Sequence, residues 1–335
     1  MPSIETAFTR AAGIEVPLIC GAMYPCSNPE LVAAVSEAGG LGIIQPISLT
    51  YVHGHDFREG LRYIRRLTSR PVGMNVILES SSKVYLDRMR RYVDASLEEG
   101  VRFFVSSLGN PRWLCDTVHA AGGLVYHDVV SAKWAAKALQ GGVDGLIAVN
   151  DRAGGHAGHL SPQRLYDELS GLGVPLLLAG GVGDEQGFVD ALRMGYAGVQ
   201  LGTRFIATDE CTAPQAYKQA LVDAREEDVV LTERITGVPL AVLNTPHVRR
   251  MGTRAGPVAR WMLRGRRTKH WMRMIYSLRS LVQLKRSMKR GDTGATSADY
   301  WQAGRSVAGI RATEPAGEIV RRFARAAREA AQVPA

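Results

Sequence analysis

The chain has 335 residues, is 46% hydrophobic and carries a formal net charge of +9. Length alone allows one large domain or two ordinary ones. No run of about 18 apolar residues is present, which argues against a transmembrane helix. The opening MPSIETAFTRAAGIEV also lacks the apolar core of a signal peptide. Cys20, Cys26, Cys115 and Cys211 are scattered without a CxxC, so they read as reduced thiols in a cytoplasmic protein. The charge is uneven. Residues 241–291 hold 14 Lys and Arg and no acidic residue, which leaves 27 basic against 32 acidic residues elsewhere. A general nucleic-acid-binding role is a poor reading of that distribution.

Eight short apolar runs follow in chain order: 17–20 (PLIC), 41–44 (LGII), 71–77 (PVGMNVI), 101–107 (VRFFVSS), 124–128 (LVYHD), 145–150 (GLIAVN), 174–179 (VPLLLA) and 197–202 (AGVQLG). They are β-branched or aromatic and end in turn residues, the signature of buried strands. Most intervals hold a helix-like stretch. In SNPELVAAVSEAGG, Ser27 or Asn28 can cap, Pro29 suits the first turn, and Gly39 and Gly40 stop the helix. SAKWAAKALQGG and DEQGFVDALRMG repeat that pattern. Eight strand–helix units predict a parallel (β/α)8 TIM barrel, class α/β, with an open doubly wound sheet as the alternative. A classical dinucleotide domain is disfavoured, because GGVGDEQG carries Gln186 where a third glycine belongs. The barrel is expected over 1–205 plus 291–335, with 206–290 as a smaller, mainly helical, basic second domain.

A barrel places its site on the loops after the strands. Small residues gather there: Gly21, Ala22 and Met23 after the first strand, Ala153–His159 (AGGHAGH) after the sixth, Gly180, Gly181 and Gly183 after the seventh, Gly202 and Thr203 after the eighth. The seventh and eighth loops are the usual phosphate cradle of such barrels. FMN, PLP or a sugar phosphate would fit. PLP needs a lysine at a strand end, and Lys133 and Lys137 lie inside a predicted helix. A flat flavin suits the small turn after the first strand, with Asn75 as a hydrogen-bonding side chain. His156 and His159 as an HxxH metal pair lack a third ligand, so no metal site is assigned.

The motifs GAMYPCSNPELVAAVSEAGGLGII, GMNVIL, AGGHAG, VPLLLAGGVGD and QLGTRF, in this order, closely resemble the nitronate monooxygenase family, formerly the 2-nitropropane dioxygenases. Flavin-dependent enoyl-acyl-carrier-protein reductases share them. The resemblance covers about residues 8–210, and weakly 290–311. It implies an FMN-binding barrel in which Gly21, Ala22 and Met23 contact the isoalloxazine ring and Asn75 its polar edge. Gly154 and Gly155 would line the flavin, while Gly180, Gly181, Gln200, Gly202 and Thr203 would hold its ribityl phosphate. His156 would be the catalytic histidine, a general base or substrate-positioning group. His159 is read as structural or surface.

Three positions depart from the family pattern. Val149 replaces a polar residue, Arg152 stands where an acidic residue is common, and the late AGQ is AGR with Arg305. The arginines either favour an anionic ligand or are surface charges. Within 271–288, Trp271, Met274, Ile275, Leu278, Leu281, Val282 and Met288 follow helical spacing, with Arg273, Arg279, Lys285 and Arg286 mostly elsewhere. That cationic face reads as a lid, as a receiver of a coenzyme A-type anion, or as a peripheral membrane contact through 258–290.

The leading expectation is oxidation of nitronates or nitroalkanes with O2. The alternative is an NAD(P)H-dependent FMN reductase or dehydrogenase of an acyl-CoA-type thioester or quinone. A flavin-free binding protein on a retained barrel is the third. Substrate and oligomeric state, a homodimer among the options, stay open.

Overall fold

The computed structural model describes residues 4–79, 83–235, 237–254 and 301–332. The predicted amphipathic stretch 271–288 and most of the basic segment lie outside these residues.

Eight parallel strands close into a barrel in sequential order, β1 (Leu18–Cys20), β2 (Leu41–Ile44), β3 (Val72–Ile77), β4 (Phe103–Ser107), β5 (Leu124–Val129), β6 (Gly145–Val149), β7 (Leu176–Ala179) and β8 (Gly198–Leu201), with β8 pairing back onto β1. All eight predicted runs are strands, with ends that shift by no more than two residues. The runs are continuously apolar because barrel strands are buried on both faces.

The helices in chain order are α1 (Ala7–Ala12), α2 (Pro29–Glu37), α3 (Phe57–Leu67), α4 (Lys83–Glu98), α5 (Arg112–Ala120), α6 (Ala132–Gln140), α7 (Pro162–Leu169), α8 (Glu185–Arg193), α9 (Thr203–Ile206), α10 (Gln215–Asp223), α11 (Pro246–Met251) and α12 (Ala316–Ala330). Their starts follow capping chemistry. Asp56 accepts from the amides of Arg58 and Glu59, Ser161 precedes Pro162 and accepts from Arg164, and Asp184 accepts from Gly187. Asn28 sits at the N-cap of α2, yet its side-chain amide donates to Glu30 and to the Glu210 carbonyl instead of capping.

Inside the barrel, Phe8 from α1 plugs the bottom against Phe103 and Tyr126, with ring centroids 5.7 and 5.6 Å away. Ile19, Ile43, Val105, Ile147 and Leu177 continue this apolar fill. Gly145 faces the same space, where a Cβ would come within 2.4 Å of the Tyr126 ring. The four cysteines are buried and free.

The eighth unit is split. After β8 comes only the four-residue α9, and the chain returns at α12, which packs on α8 and α2 as the eighth barrel helix. Phe188 and Phe323 meet there at 5.4 Å. The return is fixed by charge: buried Arg204 and Arg322 share Glu314, and Arg322 also pairs with Glu185. The excursion between α9 and α12 therefore springs from the loop side of the barrel, where active sites lie. Its described part contains a two-stranded antiparallel hairpin, β9 (Val229–Thr232) with β10 (Leu240–Leu243), besides α10 and α11. Hairpin pairing accordingly accompanies the expected helices in that region.

Candidate active site

Inward positions at the loop end of the strands form the floor of a mouth. Alternation from Gly73, whose absent Cβ faces Ile43 and Phe103, sends Asn75 inward on β3. The same phase from Tyr126 sends Asp128 inward on β5. Gln200 projects from β8 toward Gly21, where a Cβ would lie 2.9 Å from the Gln200 Cγ. Asn75, Asp128 and Gln200 are each partly exposed there.

Loops rise around this floor. After β1, the Gly21 amide donates to the Leu201 carbonyl (2.9 Å) and the Met23 amide to Ser27 Oγ (2.8 Å). Two of that turn's three amides are thus committed within the protein. The Met23 side chain reaches over the Gly202 position, with Sδ 3.6 Å from where a Cβ would stand. After β6, fully buried Asn150 links two loops: its Nδ2 donates to the Gly180 carbonyl (3.0 Å) and its Oδ1 accepts from the Arg152 amide (2.7 Å). Gly180 and Gly181 take φ of 112° and 89°, a left-handed backbone that favours glycine.

The late segment closes the wall. Trp301 to Gly304 runs beside β10 and then over the loops after β6 and β8. The Leu243 amide donates to the Trp301 carbonyl (2.8 Å), the Gly304 amide to Thr203 Oγ1 (3.0 Å) and the Arg305 amide to the Arg152 carbonyl (2.9 Å). Tyr217 stacks on Trp301 at 5.3 Å and its hydroxyl donates to the Gln302 carbonyl.

This closure gives Gly154 and Gly155 a packing role. A Cβ on Gly154 would come within 2.8 Å of the Gly304 nitrogen. Gly155 exchanges two backbone hydrogen bonds with Ala241 of β10, at 2.8 and 3.3 Å. Gly183 admits the turn Arg305–Gly309, since its Cβ would sit 2.0 Å from the Ser306 carbonyl. Immediately beyond, His156 and His159 are both exposed on the rim.

Arg152 and Arg305 meet on one acid. Glu226 accepts from Arg152 Nη2 at 2.6 Å and from Arg305 Nη1 at 3.4 Å. The Arg152 stem lies against Gly181, its Nε 2.8 Å from a Cβ built there. Two guanidiniums on one carboxylate leave this cluster net positive beside the glycine loop.

Two titrating groups on β5 differ sharply. His127 points away from the mouth to Ser106 Oγ (2.8 Å), and burial lowers its pKa to about 4, keeping it neutral. Burial raises Asp128 to about 7, with a hydrogen bond from Gln200 pulling the other way.

The mouth suits a flavin phosphate. Glycine loops after β7 and β8 present backbone on one side. On the floor, Asp128 Oδ1 and Gln200 Oε1 are buried without a hydrogen-bond partner among the described residues, as expected of a polar site made to be covered. Gln200, which the family resemblance would place at the ribityl phosphate, projects inward onto the floor of the mouth. Asn150, Asp128 and Glu226 were not picked out. The signal for Asp128 was present, an acid ending the apolar run LVYHD in the inward phase. Glu226 gives no signal, because its meaning depends on two arginines 74 and 79 residues away.

The family model for nitronate monooxygenase matches residues 5–325. A "(3aS,4S,5R,7aS)-5-hydroxy-7a-methyl-1-oxo-octahydro-1H-indene-4-carboxyl-CoA dehydrogenase" of Rhodococcus jostii is 32% identical over 73% of this chain and 67% of its own. The protein of that name from Mycobacterium tuberculosis is 30% identical over 86% of this chain and 80% of its own. A probable nitronate monooxygenase of Staphylococcus saprophyticus is 26% identical over 74% and 81%. Among solved structures, FabK from Thermotoga maritima superposes with a TM-score of 0.78 at 28% identity, covering 98% of this chain and 97% of its own.

Proposed function

The chain belongs to the nitronate monooxygenase family of oxidoreductases, and from that premise we propose that it is an FMN-dependent dehydrogenase of an anionic acyl-CoA-type thioester. The observation that carries this reading is the net cationic Arg152–Glu226–Arg305 cluster beside the Gly180–Gly181 loop. It supplies an anion-binding edge to the mouth, and guanidiniums suit the phosphates of coenzyme A. Two relatives at 30% identity or more, both named as CoA-ester dehydrogenases, agree in substrate class. The basic segment 241–291 adds cationic residues to the same excursion.

FMN, when bound, supplies a two-electron acceptor for a hydride. Backbone groups of Gly180, Gly181, Gly202 and Thr203 would hold its phosphate, and Ala22, Met23 and Asn75 would border its ring. His156, on the rim, takes the proton next to the activating carbonyl or fixes the substrate anion. Arg152 and Arg305 orient the carrier's phosphates. The segment 301–305 walls one side of the mouth, over the loops after β6 and β8.

Nitronate oxidation with O2 is the second reading, favoured by the family itself. The same histidine would take the α-proton of a nitroalkane or position a nitronate. Whether NAD(P)H serves as co-substrate follows from one experiment, anaerobic mixing of the FMN-loaded protein with thioesters of coenzyme A, propyl-2-nitronate and NADH. Thioester-driven bleaching of the flavin is expected. Bleaching by nitronate alone transfers the assignment to the second reading, and bleaching by NADH alone points to a reductase.

A further inference from the structure

The mouth contains a half-buried acid that the reaction above does not use. Asp128 stands two residues beyond Tyr126, whose ring fills the barrel interior, so it faces inward at the loop end of β5. Its Oδ1 is sealed from solvent with no hydrogen-bond partner among the described residues. Gln200 reaches it from β8, on the other side of the mouth, and Gln200 Oε1 is also buried and unpartnered. Buried, unpaired polar atoms are costly in a folded protein. Two of them converging on one opening are explained by a ligand that hydrogen-bonds there.

The surroundings set the proton. In the strand register, Asp128 stands beside Ile147 on β6 and next to the Ser107 end of β4, both uncharged. His127 turns to the opposite face and is neutral. Burial and Gln200 are the influences that act on the carboxyl, and no described charged side chain shifts it. A sizeable share of Asp128 is therefore the neutral acid near pH 7, able to donate a hydrogen bond as well as accept one.

We propose that Asp128, oriented by Gln200, is a positioning residue that hydrogen-bonds the polar edge of the flavin ring from the barrel floor and makes the flavin easier to reduce while it holds its proton. A neutral donor at a ring carbonyl favours the negative charge that the ring gains on reduction, and an ionised carboxylate opposes it. The inference rests on the FMN reading of the mouth.

The test uses the full chain reconstituted with FMN. Reduction potential and FMN affinity are measured at about pH 6 and about pH 8, either side of the raised carboxyl, for the parent, Asp128→Asn and Asp128→Ala. Asp128→Asn keeps a donor but cannot ionise. It is expected to match the parent at the lower pH and to stay easier to reduce at the higher one. Asp128→Ala is expected to bind FMN about tenfold more weakly, the scale of one lost hydrogen bond. Both variants matching the parent in potential and affinity would overturn the proposal. Should the variants fail to fold, the bound-flavin spectrum of the parent decides: a band shift near pH 7 supports the proposal, and a spectrum constant across that range overturns it. Failure of the parent to bind FMN overturns the cofactor reading as well, an outcome distinct from a bound flavin indifferent to Asp128.

Discussion

The bottom of the barrel and its mouth are built from the same strands, a few residues apart, and obey opposite rules. At the bottom, Phe8, Phe103 and Tyr126 interlock and inward glycines make room for rings. At the mouth, the acid and amide of Asp128 and Gln200 leave buried oxygens unpartnered, as the Tyr126 hydroxyl does below them, and the surrounding wall is stitched mainly through backbone. The bottom is optimised for packing. On the proposed reading, the mouth gives up stability for a ligand, as functional surfaces do.

The contrast can be broken at either end. Phe103→Ala should cost about 3–5 kcal/mol in urea unfolding, because it empties a tightly filled interior, while the folded fraction keeps its FMN affinity. Loss of FMN affinity in that folded fraction would show that bottom and mouth are coupled. His156→Ala should do the reverse. Turnover is expected to fall by about 10²-fold or more, with the unfolding midpoint unchanged. Undiminished turnover would remove His156 from proton handling.

Asp128→Asn should raise stability. In the unfolded chain this carboxyl ionises near 3.8, and in the folded protein near 7. The fold thus binds the proton more tightly than the unfolded chain, so stability falls as pH climbs from about 4 to about 7. Removing the ionisation should recover about 1–2 kcal/mol at pH 8, allowing for partial exposure, and little at pH 4. Thermal melts at the two pH values check this, and an equal shift at both would contradict it. The smallest effect is expected for Glu226→Gln. Its ion pairs are partly exposed, so stability should change by less than about 1 kcal/mol. Affinity for coenzyme A should rise, because the competing carboxylate charge is gone; a fall would mean that Glu226 is needed to hold the arginines in place.

Much of the fold was legible in the sequence because barrel strands announce themselves. LGII and VPLLLA are continuous apolar runs between glycines, and their spacing counts the units. The eighth helix was harder, since α12 lies more than 100 residues after β8 and only packing on α8 and α2 identifies it. The glycine pattern marked the mouth, but sequence does not tell a glycine that faces a ligand from one that faces backbone. Gly154 and Gly155 meet Gly304 and Ala241, a relation set by tertiary contacts. Arg152 and Arg305 stood out as departures, and their convergence on Glu226 became visible only in three dimensions. Asp128 was readable by strand phase alone, yet its meaning required Gln200 across the barrel.

On the proposed function, the mouth between the β1, β7 and β8 loops holds FMN. The most direct measurement is the visible absorption spectrum of the purified protein, before and after incubation with FMN and removal of excess. A yellow protein with one bound flavin per chain, retained in His156→Ala and lost when Gly181 is replaced by a bulky residue, is the predicted result. A colourless protein that takes up no FMN would contradict it.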